Sequence, residues 1–186
     1  MKADESPPLD GYGSKRALRR LLLAERRARV RPDPLPAVLA AEPVRAAGTV
    51  AAYVPFGTEP GGDLPERLRA AGKRVLVPVL LPDNDLDWTG WPAGAPLGVD
   101  AVLAADLLLV PGLAVSADGV RLGRGGGSYD RVLARVAGRV PAAVVLYDGE
   151  VLAAGTVPAE PHDQRVQAVI TAAGWTALGP AGHFPR

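Results

Sequence analysis

The sequence predicts an α/β fold, a single domain built on a mostly parallel sheet with helices on both faces. Three observations predict it. Short apolar runs such as TVAAYV (49–54), RVLVPVLL (74–81) and AAVVLY (142–147) lack the alternation of a sheet with one wet face, so both faces are covered. Helix-patterned segments separate these runs, as in successive strand–helix–strand units. A chain of 186 residues, 48% apolar and 22% charged, is long enough for one domain with its own core.

The elements follow in order. Residues 1–13 are polar and broken by Pro7, Pro8, Gly11 and Gly13, which reads as a disordered leader before one domain over 14–186. A first helix starts at Ser14 as N-cap and runs to about Arg29, with Ala17, Leu18, Leu21, Leu22, Ala24 and Ala28 on one side. Four prolines between 32 and 43 forbid one continuous helix there and leave room for a single turn at 38–42. A strand at 49–54, a helix at 64–71 ended by Gly72 and a strand at 74–81 come next. A helical turn spans 99–104, and DLLLVPGLAV (106–115) is a strand broken at Pro111-Gly112. Asp118-Gly119 marks a turn. After a glycine cluster, a helix covers 128–136, and strands close the fold at 142–147 and 167–171. Trp88 and Trp91 fall in a Pro/Gly-rich loop, where they either stack on a ligand or pin the loop.

Composition removes several function classes. The absence of cysteine excludes a disulfide scaffold and thiolate metal sites, and two histidines 21 positions apart do not suggest a zinc centre. A net charge of +1 gives no general attraction to nucleic acid or anionic membrane. No apolar run approaches the length of a membrane span, and the first residues lack a signal core, so a cytoplasmic setting is expected. With 22 glycines and 19 prolines, the chain is rich in turns, and the glycines concentrate between 112 and 127.

That concentration is the strongest chemical signal. In Arg121-Leu122-Gly123-Arg124-Gly125-Gly126-Gly127-Ser128-Tyr129-Asp130, glycines free backbone N–H groups just before a helix N-terminus, an arrangement that suits phosphate. Two arginines add charge, and Asp130 could hold Mg²⁺ against phosphate oxygens. The segment fits neither the Walker loop nor the dinucleotide fingerprint. A flexible turn with a capping Ser128 would leave the same residues. On the first helix, Lys15, Arg19 and Arg26 fall within about 40° of one another beside Leu22. They either reach over the core edge toward an anion or form a solvated face, as Arg16, Arg20 and Arg27 do. YVPFGTEP (53–60) follows a strand end, where an aromatic ring and the Glu59 carboxylate could grip a flat heterocycle or merely form a turn. In PAEPHD (158–163), His162 reads as structural, and Asp163 as a cap or a metal carboxylate.

Taken together, K15-xx-L18-R19 with R26, YVPFGTE (53–59), GKRVLVPV (72–79), DLLLVPGLAV (106–115), RLGRGGGSYDR (121–131) and VPAEPHD (157–163) resemble the 5-formyltetrahydrofolate cyclo-ligase family, in family order over most of 14–171. The resemblance implies a three-layer α/β/α sandwich of the NagB/RpiA/CoA-transferase-like kind. It implies a monomeric ligase that takes ATP and 5-formyltetrahydrofolate to 5,10-methenyltetrahydrofolate, ADP and phosphate with Mg²⁺. The formyl oxygen attacks the γ-phosphate and the neighbouring aryl amine closes the ring. By position, Lys15 and Arg19 contact ATP phosphates, and Arg121, Leu122, Gly123, Arg124, Gly125, Gly126, Gly127, Ser128 and Tyr129 wrap the nucleotide. Val54 and Glu59 contact the folate, as does the stretch from Arg124 to Ser128. Lys15, Glu59 and Arg124 are the catalytic candidates, and Asp130 and Asp163 the metal ligands. The family usually carries an aromatic residue where Ser128 stands and longer segments near 30–48 and 88–97. These differences motivate an alternative, a nucleotide- or folate-binding module with little turnover.

Overall fold

The computed structural model describes residues 14–92, 94–161 and 163–179. The expected leader and His162 lie outside them. Helix α1 (Lys15–Ala28) begins as its sequence predicts, with the Ser14 hydroxyl accepting from the Ala17 N–H at 3.3 Å. Its buried line is not the expected one. Ala24 and Ala28 are exposed, whereas Leu18, Leu22 and Arg26 are buried at i, i+4 spacing. The cationic stripe therefore faces the protein, and Arg16, Arg20 and Arg27 face solvent.

The proline-rich stretch forms more helix than a single turn. Helices α2 (Leu35–Ala40) and α3 (Glu42–Ala46) each carry proline in the first turn, where a missing N–H costs nothing, and meet at an extended Ala41. Strand β1 (Thr49–Ala52), helix α4 (Leu64–Ala70) and strand β2 (Arg74–Leu80) follow. Strand β3 (Leu86–Gly90) replaces the expected tryptophan loop. After a 3₁₀ segment (Val99–Ala104) come β4 (Leu107–Pro111), β5 (Ala114–Ser116), β6 (Arg121–Leu122), α5 (Ser128–Val136), β7 (Ala142–Val145), β8 (Val151–Leu152), β9 (Ala168–Thr171) and β10 (Gly174–Ala177).

The main sheet has the order β10-β9-β7-β4-β1-β2-β3. The five inner strands are parallel, and β3 and β10 are antiparallel edges. Alternate residues feed two cores. On one face, Ala51, Leu76, Leu108, Val110 and Val144 pack with α5 and the 3₁₀ segment. On the other, Val50, Val75, Leu107, Leu109, Val145 and Ile170 pack with α2, α3 and α4. This is the three-layer α/β/α arrangement. Trp88 is a core residue of the first face, fully buried, so it is unavailable for stacking on a ligand. Trp91 is pinned instead, its indole N–H donating to Glu66 Oε2 at 3.1 Å.

The run 106–115 is not one strand. At Pro111-Gly112 the chain leaves the main sheet and enters a small one ordered β6-β5-β8. Leu18 and Leu22 of α1 pack on that small sheet, against Leu113, Ala114, Val120, Leu122, Leu152 and Val157. Among the described residues, no helix is long and apolar enough to cross a membrane.

Candidate active site

Sheet topology fixes where a ligand belongs. From β1 the chain moves to β2 on one side and later returns to place β4 on the other side. The point between β1 and β4 is thus a topological switch, and open α/β sheets bind ligands beyond the carboxyl ends of their strands there. The segment after β1 carries Glu59, and the segment after β4 leads through Pro111-Gly112 to the glycine loop.

The glycine loop walls two recesses. One is lined by Glu59, Leu80, Leu86, Pro111, Arg121 and Tyr129 together with the loop from Gly123 to Ser128. The other is lined by Lys15, Arg19, Arg121, Asp130, Glu160 and Asp163, again with glycines of the loop. Arg121, Gly123, Gly125, Gly127 and Asp130 line both. The first recess is the more apolar and carries two carboxylates, Glu59 and the shared Asp130, and the second is rich in charge.

Each charged group has a defined partner. Lys15 Nζ donates to Asp163 at 2.6 Å and to Glu160 at 2.9 Å, and with these two carboxylates its ammonium pKa lies above the ordinary value despite the opposing effect of burial. Arg19 Nε donates to the Gly123 carbonyl at 2.8 Å, which ties α1 to the loop. Arg121, with a side chain only 4% exposed, donates from Nη1 to the Pro111 carbonyl and from Nη2 to Asp130 Oδ1, at 2.9 and 3.1 Å. Its buried Nε has no hydrogen-bond partner. Arg124 Nε donates to Glu59 Oε1 at 2.9 Å, and its guanidinium lies 5.7 Å from the Phe56 ring. Glu59 Oε2 also accepts from the Phe56 N–H at 3.0 Å.

Helix α5 starts without a side-chain cap. Gly127 occupies the N-cap in the left-handed region at φ 74°, and Ser128 is the first helical residue rather than the cap. The amides at this end are therefore not satisfied by a side-chain oxygen, and the helix dipole adds partial positive charge there. Burial pushes the Tyr129 phenol well above its ordinary pKa, with Arg121 beside it opposing, so the ring stays neutral.

Most sequence-predicted site residues thus converge. Two do not form walls. Leu122 is fully buried under α1, and Val54 is exposed just past β1. Arg26 parts from Lys15 and Arg19. Its anion is the buried Glu150 of the protein itself. Sequence reading missed Leu80 and Leu86, whose strand ends border the first recess. Their apolar character was visible, but which strand end faces the cleft was not.

The donor set suits a hard divalent cation held jointly with phosphate. Asp130 and Asp163 line the same recess, and Mg²⁺ commonly takes one or two carboxylates, with phosphate oxygens and water as the rest. Among the described residues, no group of three or more metal-ligating side chains forms a cage that would bind a metal alone.

Comparison with known proteins identifies the family. A 5-formyltetrahydrofolate cyclo-ligase of Mycolicibacterium smegmatis is 39% identical over 143 residues, covering 66% of this chain and 73% of that protein. A mitochondrial 5-formyltetrahydrofolate cyclo-ligase of Arabidopsis thaliana is 39% identical over 83 residues, 40% of this chain and 30% of its own length. Solved structures of 5,10-methenyltetrahydrofolate synthetases share the fold. That from Mycoplasma pneumoniae has a TM-score of 0.70 at 24% identity, over 86% of this chain and 99% of its own. That from Aquifex aeolicus has a TM-score of 0.73 at 22% identity, over 92% and 96%. Nearly the whole length of both structures finds a counterpart here. The 5-formyltetrahydrofolate cyclo-ligase family matches residues 12–172, and the chain belongs to that family.

Proposed function

We propose that the protein is an ATP-dependent ligase converting 5-formyltetrahydrofolate to 5,10-methenyltetrahydrofolate, with release of ADP and phosphate. The observation that carries this reading is the shared wall. A charged recess and a more apolar one holding Glu59 meet across one glycine loop, so two unlike substrates can react through it. The charged recess suits a triphosphate, with Lys15 and Arg19 on its oxygens and the loop from Arg121 to Tyr129 around the nucleotide. The other suits a reduced pterin, with Glu59 accepting from ring N–H groups and the loop from Arg124 to Ser128 beside it.

In this reading the ligand exchanges partners with the protein. Lys15 gives up Asp163 for phosphate oxygens, and Arg124 gives up Glu59 as the folate arrives. Arg124 then stands free to stabilise the charge of the transferring phosphoryl group. The formyl oxygen attacks the γ-phosphorus and displaces ADP; the neighbouring aryl amine then adds to the activated formyl carbon and gives up its proton as phosphate leaves. Asp130, with Asp163 as a second carboxylate, would hold Mg²⁺, which would supply charge neutralisation on the phosphate oxygens. The protein acts, in this reading, as a monomer on these two small molecules in the cytoplasm.

The test is direct. Mixing protein, ATP, Mg²⁺ and 5-formyltetrahydrofolate should produce the near-UV absorbance of the methenyl product, dependent on every component. Absence of that signal at saturating substrates, with protein shown to be folded by circular dichroism, overturns the proposal.

A further inference from the structure

Arg26 is a member of the cationic stripe that the site does not absorb. Its side chain is fully buried, and so is that of its partner Glu150, at 1% exposure. The fork is complete. Nε donates to Oε1 and Nη2 to Oε2, both at 2.7 Å, and the guanidinium lies 5.4 Å from the Tyr147 ring. Glu150 also accepts from the Tyr147 N–H at 3.0 Å and from Arg31 Nη1 at 3.3 Å. Neither Arg26 nor Glu150 lines a recess, yet the third bond of the fork reaches one. Nη2 donates to the Gly112 carbonyl at 2.7 Å, and Gly112 is a wall of the first recess.

The neighbouring carbonyl, that of Pro111, is held by Arg121, which also grips Asp130. Two arginines therefore hold consecutive carbonyls at the bend where the chain changes sheets. The bend has no slack on its other side, since a Cβ at Gly112 would lie 2.8 Å from Val144 Cγ2. A buried ion pair is a poor device for stability, because apolar residues of equal volume serve as well or better. What apolar residues cannot do is fix a carbonyl and a helix at once. Arg26 does both, on the same rigid helix that carries Lys15 and Arg19 to the other recess.

We propose that Arg26 and Glu150 are positioning residues. They lock the C-terminal turn of α1 to the β4–β5 bend and thereby set the register between the phosphate-facing cations and the opposite wall of the cleft. The proposal rests on the functional reading above only for its kinetic arm. A shift of about 1 Å in such a frame can lower turnover about a hundredfold without touching the reacting atoms.

The experiment compares wild type with the neutral pair Arg26→Met/Glu150→Gln, which keeps an acceptor for the Tyr147 N–H. The expected result is a cooperative thermal transition near that of wild type, kcat at least tenfold lower, and KM for 5-formyltetrahydrofolate within about threefold. Amide hydrogen exchange on ligand-free protein supplies an arm independent of turnover. Exchange should quicken at Leu113–Val115 and through the glycine loop while β7 keeps its protection. Arg26→Lys, which keeps the charge but loses the fork, covers the case in which the double variant does not fold, and should show the same exchange pattern. Wild-type kcat in a folded variant overturns the proposal, as does exchange unchanged at the bend. Should wild type itself not turn over, the functional reading fails and the exchange arm alone decides.

Discussion

Replacing Gly112 by alanine tests how tightly the wall of the cleft is built. The new Cβ would lie 2.8 Å from Val144 Cγ2, 3.4 Å from Leu146 Cδ2 and 3.5 Å from Arg121 Cγ. Val144 and Leu146 are fully buried in the main core, so neither can swing aside. Gly112 itself needs no positive φ, so the change carries no backbone strain. Overpacking of this kind costs about 1–3 kcal/mol. The alanine also stiffens the unfolded chain, which returns about 0.4–1 kcal/mol. The clash should win by about 1–2 kcal/mol, or about 2–8 °C in the thermal midpoint of a domain of this size. Val144→Ala alone should cost about 2 kcal/mol through lost methyls and the cavity they leave. Because it removes the clashing atom, the double variant should cost clearly less than the two singles summed. Urea denaturation of the four proteins measures this. A Gly112→Ala protein as stable as wild type, or strict additivity in the cycle, would show that the bend has room.

Three further outcomes are expected. Glu59→Gln removes a charged acceptor and should lower kcat/KM for 5-formyltetrahydrofolate by about 10–100-fold with ATP affinity little changed, as steady-state kinetics and calorimetry can check. Asp130→Asn should raise the Mg²⁺ concentration for half-maximal turnover at least tenfold, and an unchanged Mg²⁺ titration would remove Asp130 as the principal ligand. The Arg135 guanidinium beside Asp85 holds that carboxyl below its ordinary value near 3.8. Its folded-state pKa is depressed, so the stabilisation is present above about pH 4 and lost as pH falls through the folded value. Asp85→Asn should therefore flatten the stability profile below about pH 4, followed by urea midpoints against pH.

The legible parts of the sequence were those with one dominant cause. Buried parallel strands must be apolar on both faces, so β1, β2, β4, β7 and β9 stood out, and Ser14 and the glycine cluster marked the starts of α1 and α5. The illegible parts are edges and switches. Strand β3 is an antiparallel edge in which Asp87 and Thr89 alternate with Trp88, and its Asp87 carboxylate accepts from the Trp88 and Gly98 amides, so local polar residues hid a strand as a loop. Strand β10 is likewise an edge, hydrogen-bonded only to β9 in the main sheet. The change of sheet at Pro111-Gly112 depends on a partner strand, β8, that lies far along the chain. In the site, the glycine cluster pointed to Arg121, Arg124 and Asp130, whereas Lys15, Arg19 and Glu59 were chosen over a solvated face or a turn only by the family resemblance. Charge types and spacing could not announce pairing. Lys15, Arg19 and Arg26 share one helix face, yet find a carboxylate pair, a backbone carbonyl and a buried glutamate respectively.

That division of α1 among distant partners bears on how the chain is made. Leu18 and Leu22 bury themselves only against residues from 113 to 157, and Lys15 meets Asp163. During synthesis, at about 5–20 residues per second, the first helix leaves the ribosome roughly ten seconds before its last partners do. Through that interval α1 is an exposed amphipathic segment bearing a leucine stripe and an unneutralised Arg26. The β1–β2 region can pair meanwhile, but the cleft cannot close around its glycine loop until the region near Glu150 and Asp163 has emerged. Helix α1 is thus made early and seated late, and closure of the cleft is timed by residues about 130 positions downstream of it.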